Sequence, residues 1–276
     1  MGDSDHFKLP DGPVAIQFSG GRTSAYMLRQ ILDRYDGALP TDCHVLFQNT
    51  GREMPETLDF VHECQTRWGV PITWLEYDAD NGYRVVSHNS ASRDGEPFEA
   101  LIRKRSYLPN RVTRFCTSEL KVRPAEKFMQ AHGHKAWTAI IGIRADEAHR
   151  TNSKSADREP WECFYPLAAA GVTKHDVAAF WSAQDFDLRL PNINGKTPLG
   201  NCDGCFLKSE ANRAFLARYY PQRAAWWARI EAETDNRFHN EQPWSALVEH
   251  AKRQPDWVFD QEDGLYCTAG FGGCFD

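Results

Sequence analysis

Two of the chain's eight cysteines, Cys202 and Cys205, form C-x-x-C inside GNCDGCFLKS. That spacing lets two thiolates reach one metal centre or one redox disulfide. Cys116 lies well upstream, and Cys267 and Cys274 lie in a glycine-rich tail, TAGFGGCFD. A second stretch, VAIQFSGGRTSAYMLRQIL (Val14 to Leu32), sets two glycines between a β-branched apolar run and a helical one. A loop that leaves a strand and opens a helix exposes unpaired backbone N–H groups at the positive end of the helix dipole. Glycines let a ligand's oxygens approach that backbone. Ser19, Thr23 and Ser24 add hydroxyls there, and Arg22 adds charge. The patterns G-x-x-x-x-G-K-S/T and G-x-G-x-x-G do not occur, so spacing alone leaves a phosphate cradle and a plain turn equally open.

The elements that would position these residues follow from periodicity. Val14 to Phe18 reads as a buried strand, and Met27, Leu28, Ile31, Leu32 and Tyr35 recur at helical spacing after the glycines. His44 to Phe47, Ile72 to Tyr77 and Ala136 to Ile143 read as further strands. Pro55 suits the first turn of a helix whose Leu58, Val61, Cys64 and Trp68 share one face. Strands alternating with helices predict an α/β fold with a mostly parallel, doubly wound sheet. Asp78 to Arg114 reads as a long polar loop with a short helix around Phe98 to Arg105. Val172 to Gln184 reads as a helix with Thr173 as N-cap and Asp176 at the capping-box position. Pro191 to Gly204 is turn-rich, which divides the chain into residues 1–190 and a helical, cysteine-bearing part, 191–276.

The 276 residues are 41% hydrophobic and 25% charged, an ordinary globular balance. The first residues carry no apolar leader segment and no run approaches membrane-spanning length, so a cytoplasmic location is expected. In a reducing cytosol, clustered cysteines point to metal or redox chemistry rather than to structural disulfides. Net charge is −6, which argues against indiscriminate nucleic-acid binding. Locally the balance differs: from Arg103 to Arg123 seven cationic residues face one acidic residue, Glu119. Such a run is either a solvated face or a surface that draws a polyanion toward Cys116.

Several blocks carry a family resemblance. SGGRTS resembles the PP-loop of the adenine-nucleotide α-hydrolase superfamily, usually S-G-G-x-D-S, with Thr23 in place of the aspartate. FQNTGREMPETLDFV, TRFCTSELKVRP, GIRADEAHR and YPLAAAGVTKHDVAAF, in that order, resemble segments of its phosphoadenosine phosphosulfate (PAPS) reductase-like branch. The resemblance implies an adenine-nucleotide site. Ser19, Gly20, Gly21, Arg22, Thr23 and Ser24 would hold phosphates, Asn49, Thr50 and Gly51 would flank ribose and adenine, and Gly142 would lie beside Arg144. Arg144 and Lys121 would neutralise phosphate or sulfate charge.

Cluster-bearing members of that branch have a cysteine pair before a lysine–proline segment and a later C-x-x-C. Cys116 matches the first of the pair, Thr117 stands where the second would be, and Lys121 matches the lysine. The resemblance therefore implies a 4Fe-4S cluster on Cys116, Cys202, Cys205 and Cys274, with Cys267 and then Cys163 as substitutes for the fourth thiolate. Structural zinc is the alternative. Cys43 and Cys64 read as small core residues.

Two chemistries use such a site. One is ATP-dependent sulfur transfer to an acceptor such as a nucleic acid, with magnesium accompanying the nucleotide and a cysteine desulfurase as sulfur donor. The other is reduction of PAPS or adenosine phosphosulfate, with thioredoxin or ferredoxin as electron donor and Cys267 or Cys274 as nucleophile. The E-C-G-L-H motif of known reductases does not occur in this chain, which favours the first. A non-catalytic nucleotide-binding module is a third reading, and a homodimer is a further expectation.

Overall fold

The computed structural model describes residues 5–151, 159–193, 197–239 and 242–253. β1 (Val14–Gln17) is buried at every residue, as a strand covered on both faces must be. It leads through Ser19 and Gly20 into α1 (Arg22–Arg34), which buries Met27, Leu28, Ile31 and Leu32. β2 (Cys43–Asn49), α2 (Pro55–Trp68) and β3 (Ile72–Glu76) repeat the alternation, with Pro55 in the first turn of α2 and left-handed Gly69 ending it.

The polar stretch after β3 holds one element that periodicity did not announce. β4 (Arg84–Val86) pairs antiparallel with β3, and its three residues are exposed or half-buried. A strand so short and solvated leaves no apolar run in the sequence, yet it covers the open edge of β3. α3 (Glu96–Arg105) follows as expected. α4 (Phe115–Thr117) then passes through a π-helical turn, Ser118–Val122, into α5 (Arg123–Ala131). β5 (Trp137–Ile141) and the unforeseen β6 (Trp161–Phe164) complete the sheet. α6 (Pro166–Ala169) and α7 (Lys174–Ser182) come next, and the Thr173–Asp176 capping box opens α7. Three further helices, α8 (Glu210–Tyr219), α9 (Pro221–Thr234) and α10 (Trp244–Arg253), form the C-terminal part.

The strand order is β4-β3-β2-β1-β5-β6, parallel throughout except for β4. Side chains alternate between two cores. Val14, Ile16, Val45, Phe47, Ile72 and Trp74 join the larger one, whereas Ala15, Leu46 and Leu75 meet Phe128 and Met129 of α5 on the other face. Helices thus cover both faces, and the fold is the doubly wound α/β sheet with a helical C-terminal part. The larger core continues without a break into Trp226, Trp227 and Trp244 of the C-terminal helices. No helix among the described residues is long and apolar enough to cross a membrane.

One buried charge ties the two parts together. Asp203, inside the C-x-x-C segment, is fully buried. It accepts hydrogen bonds from Arg52 Nη2 at 2.8 Å, Trp227 Nε1 at 2.8 Å and Arg223 Nε, while its own N–H donates to the Arg52 carbonyl at 2.9 Å. The Arg52 guanidinium lies over the Trp226 ring, 4.5 Å from its centroid. Burial pulls the Arg52 pKa down, and the Asp203 charge opposes that pull. Next to Asp203 only a glycine fits, because a Cβ at Gly204 would stand 2.3 Å from the Trp227 indole nitrogen. Asp203→Asn keeps the size but leaves Arg52 buried without its counter-charge. Denaturant unfolding should show a loss of about 3–5 kcal/mol, and a loss below about 1 kcal/mol would show that this contact does not hold the parts together.

Candidate functional site

The sheet order reverses between β1 and β5, and the crevice outside the carboxyl ends of parallel strands at such a switch point is where this kind of sheet places ligands. The glycine turn sits there. Gly20 adopts φ +77°, and a Cβ on it would meet Thr57 Cγ2 at 2.8 Å and Val61 Cγ2 at 3.0 Å, so the turn packs directly on α2. Gly21 is the N-cap of α1 and supplies no side-chain cap, and the first turn carries no acidic residue. The dipole end of α1 is therefore left without an internal anion. Ser19 Oγ and Ser24 Oγ lie 2.9 Å apart, and Ser24 Oγ donates to the Gly21 carbonyl at 3.0 Å, which fixes the loop's shape.

Arg144, in the segment that leaves β5 beyond buried Gly142, reaches this loop. Its Nη1 donates to Thr23 Oγ1 at 2.9 Å, and its other nitrogens meet Asp146 at 3.1 Å and Glu147 at 3.1 Å. Thr23 and Arg144, paired only by resemblance in the sequence, are thus in direct contact. Arg22 does something other than lend charge to the loop. Its guanidinium donates to both oxygens of Asp187, to Thr197 Oγ1 and to the carbonyls of Leu188 and Leu190, fastening the segment after α7. Its backbone carbonyl accepts from Trp181 Nε1 at 2.8 Å.

At the carboxyl end of the adjacent strand, β2, a thiol centre begins. Thr50 Oγ1 lies 3.3 Å from Cys202 Sγ, and Glu53 accepts from both the Thr50 N–H and its hydroxyl. Burial, followed by the Glu53 charge, pushes the Cys202 thiol well above its ordinary pKa, whereas Lys121 and the Thr50 hydroxyl pull it down. Cys116 is close enough to add its own repulsion. Lys121, on the π-helical turn, is buried and donates Nζ–H to Asn201 Oδ1 at 3.2 Å. Irregular helical turns of this kind recur at functional sites. The Cys202 carbonyl accepts from the Cys205 N–H at 3.3 Å, closing the C-x-x-C turn, and buried Lys208 donates to the Pro198 and Gly200 carbonyls at 2.7 and 2.8 Å.

Other candidate residues have partners within the protein. Asn49 and Thr50, expected beside ribose and adenine, are buried, and their side chains bond protein partners. Asn49 Nδ2 donates to Glu76 Oε1 at 2.6 Å and to the Ser92 carbonyl at 2.8 Å. Gly51 donates its N–H to Asn49 Oδ1 at 3.1 Å. Cys64 is fully buried, and burial pushes the Cys43 thiol up to about 12, in keeping with small core residues. Cys163 pairs with Ala139 across β5 and β6 and bonds Tyr165. Cys267 and Cys274 lie outside the described residues. Among the described residues, no three His, Cys, Asp or Glu side chains stand in place to hold a metal ion.

The cationic run is less charged than its sequence implies. Arg103 pairs with Glu99 at 3.0 Å, Arg105 with Glu119 and Arg123 with Glu126. Lys104 donates to the Ala79 carbonyl at 3.1 Å. Sequence reasoning overlooked Arg52, Glu53, Asp203 and Arg223. The available signal was charge set directly beside a motif, Arg52-Glu53 after Gly51 and an aspartate between two cysteines.

The chain is similar to known proteins to different extents. The chain is 35% identical over 204 residues to an uncharacterized nin region protein, ORF290, of Escherichia phage lambda, covering 70% of this chain and 66% of that protein. An uncharacterized protein of Methanocaldococcus jannaschii is 28% identical over 142 residues, 51% of this chain and 25% of that protein. Among solved structures, phosphoadenylyl-sulfate reductase from Candida auris, as a phosphate complex, aligns with a TM-score of 0.42 at 15% identity, over 66% of this chain and 79% of that one. The U34-tRNA thiolase NcsA from Methanococcus maripaludis, with its 4Fe-4S cluster, aligns with a TM-score of 0.38 at 12% identity, over 91% of this chain and 77% of that one. Residues 13–186 match the phosphoadenosine phosphosulfate reductase domain, which spans the sheet, the glycine turn and the Arg144 segment. The chain belongs to the phosphoadenosine phosphosulfate reductase domain family.

Proposed function

We propose that the chain is an enzyme that binds ATP at the glycine turn and transfers sulfur to an acceptor, with a nucleic acid as the acceptor class. The observation that carries this reading is positional. The uncapped end of α1 follows β1, and the Thr50–Cys202–Lys121 cluster follows β2, so anion-binding amides and thiols open from neighbouring parallel strands.

In the proposed reaction an acceptor oxygen attacks the α-phosphorus of ATP, the bond to pyrophosphate breaks, and pyrophosphate leaves. A desulfurase supplies the sulfur as a persulfide, a thiol reductant releases it as hydrosulfide while being oxidised to a disulfide, and the hydrosulfide then bonds to the activated carbon as AMP leaves with the original oxygen. The amides from Gly21 to Ser24 and the Thr23 hydroxyl hold phosphate oxygens, with Ser19 and Gly20 shaping the loop. Arg144, already at Thr23, offers its guanidinium to the same oxygens. Gly51 and Gly142 line the crevice by backbone, and magnesium enters as the nucleotide's counter-ion. Lys121 opposes the burial that raises the Cys202 thiol and pulls its pKa back toward thiolate formation.

The donor set fits a thiolate-held cluster in kind. Cys116 and Cys202 sense each other's charge and Cys205 is one turn away, with the fourth thiolate assigned to Cys274 or Cys267. A 4Fe-4S cluster bound there would supply an iron site able to carry sulfur.

Three tests follow. Purified protein with ATP and candidate nucleic-acid acceptors should release pyrophosphate, while PAPS with thioredoxin should give no sulfite. Sulfite release would overturn this reading in favour of the reductase, and silence in both assays despite tight nucleotide binding would favour a non-catalytic module. Arg144→Ala should weaken nucleotide binding by about 10- to 100-fold, the worth of one charged hydrogen bond; unchanged affinity by calorimetry would remove Arg144 from the site. Anaerobically purified protein should be brown and contain iron, and Cys202→Ser should lose most of it. Colourless wild-type protein with zinc would overturn the cluster.

A further inference from the structure

Between α3 and α4 the chain makes a loop, Ser106 to Arg114, that leads directly to Phe115 and Cys116. Its base is anchored and its tip is not. Leu108 is 2% exposed, whereas Val112 is 90% exposed. Asn110 Oδ1 accepts from the N–H groups of Val112 and Thr113, both at 2.9 Å, and the Asn110 N–H donates to the Thr113 carbonyl at 3.1 Å. These bonds give the tip a fixed shape without covering its side chains. Arg111 is exposed as well, and it meets no hydrogen-bond or ion-pair partner among the described residues.

Aromatic surface runs from this loop to the cysteine. Tyr107 and Phe115 form an edge-to-face pair with centroids 4.8 Å apart, and Tyr107 keeps 39% of its surface exposed. The Arg105 guanidinium lies 5.7 Å from the Phe115 ring centroid. Arg103 and Arg105 are paired with Glu99 and Glu119, yet both arginine side chains stand largely in solvent. Ion pairs so exposed are worth little, so a phosphate can replace either carboxylate at small cost. Rings that stack on any base, set beside charges that follow a phosphate backbone, are what grip a single strand. The chain as a whole carries −6, so that attraction is confined to this stretch. Cys116 and Cys202 are half-buried, and chemistry at such a site requires a base that has left its stack.

We propose, building on the nucleic-acid acceptor of the reaction above, that the Ser106–Arg114 loop docks a single-stranded nucleic acid beside the thiol centre. Tyr107 stacks on a base, Arg111 binds a phosphate, and Val112 covers apolar sugar or base surface. Arg103 and Arg105 extend the phosphate path along the end of α3.

Fluorescence anisotropy of the full chain without ATP tests this, using labelled mixed-sequence RNA and DNA strands and the duplexes of the same sequence. The wild type should bind a single strand more tightly than its duplex. Tyr107→Ala should weaken single-strand binding about fivefold or more, the least that one stacked base is worth, and Tyr107→Phe should keep it. Arg111→Ala should flatten the slope of log affinity against log salt by about 0.7, the share of one phosphate contact. Both side chains are exposed, so the variants should melt as the wild type does. Should Tyr107→Ala misfold, the salt slope of Arg111→Ala decides. Strand binding that neither substitution changes would overturn the loop's role and leave the acceptor class standing. A desulfurase that the same variants no longer bind, with strand affinity unchanged, would give the loop to a protein partner instead. Tighter binding of duplex would overturn the single-strand assignment, and a wild type that binds no nucleic acid would overturn the loop and the acceptor class together.

Discussion

The Asp203 carboxylate sits where water does not reach, and the two arginines and the indole around it make that position tenable. A buried charge of this kind is costly unless every partner is in place, so the contact is demanding as well as attractive. Arg52 belongs to the loop after β2 and Arg223 and Trp227 belong to α9, while Asp203 lies between the two cysteines. The residues that position the thiols are therefore the same ones that dock the C-terminal helices on the sheet. Thr50, two residues before Arg52, and Glu53, the residue directly after it, inherit their placement from this clamp.

The sheet was legible because its alternation is strong. Val14 to Gln17, the helix that follows and the capping box at Thr173 all announce themselves through local periodicity or spacing. β4 and β6 did not, because their residues are exposed or half-buried and their pairing is decided by neighbouring strand edges. The site divides in the same way. The glycine turn could be read locally, since a left-handed residue packed against a helix demands glycine. The Arg22–Asp187 contact spans 165 residues and the Arg52–Asp203 contact 151, and no local pattern encodes such pairs.

Thr23 shows how a changed motif can keep its geometry. Where an acidic residue is usual, a hydroxyl here accepts from Arg144, and Asp146 and Glu147 supply carboxylates from the next segment. Negative charge is thus carried beside the loop rather than in it. The end of α1 stays free of internal anions, which suits a site meant for an external one.

The π-helical turn at Ser118–Val122 has a geometric consequence of its own. A wide turn absorbs an additional residue, so the two halves of the helix differ in angular phase. Phe128 and Met129 can then follow the stripe that α5 lays on the sheet, while Lys121, about two turns earlier, is rotated toward Asn201. Were that helix wound uniformly, its rows would drift past one another, and one orientation would have to be surrendered to keep the other.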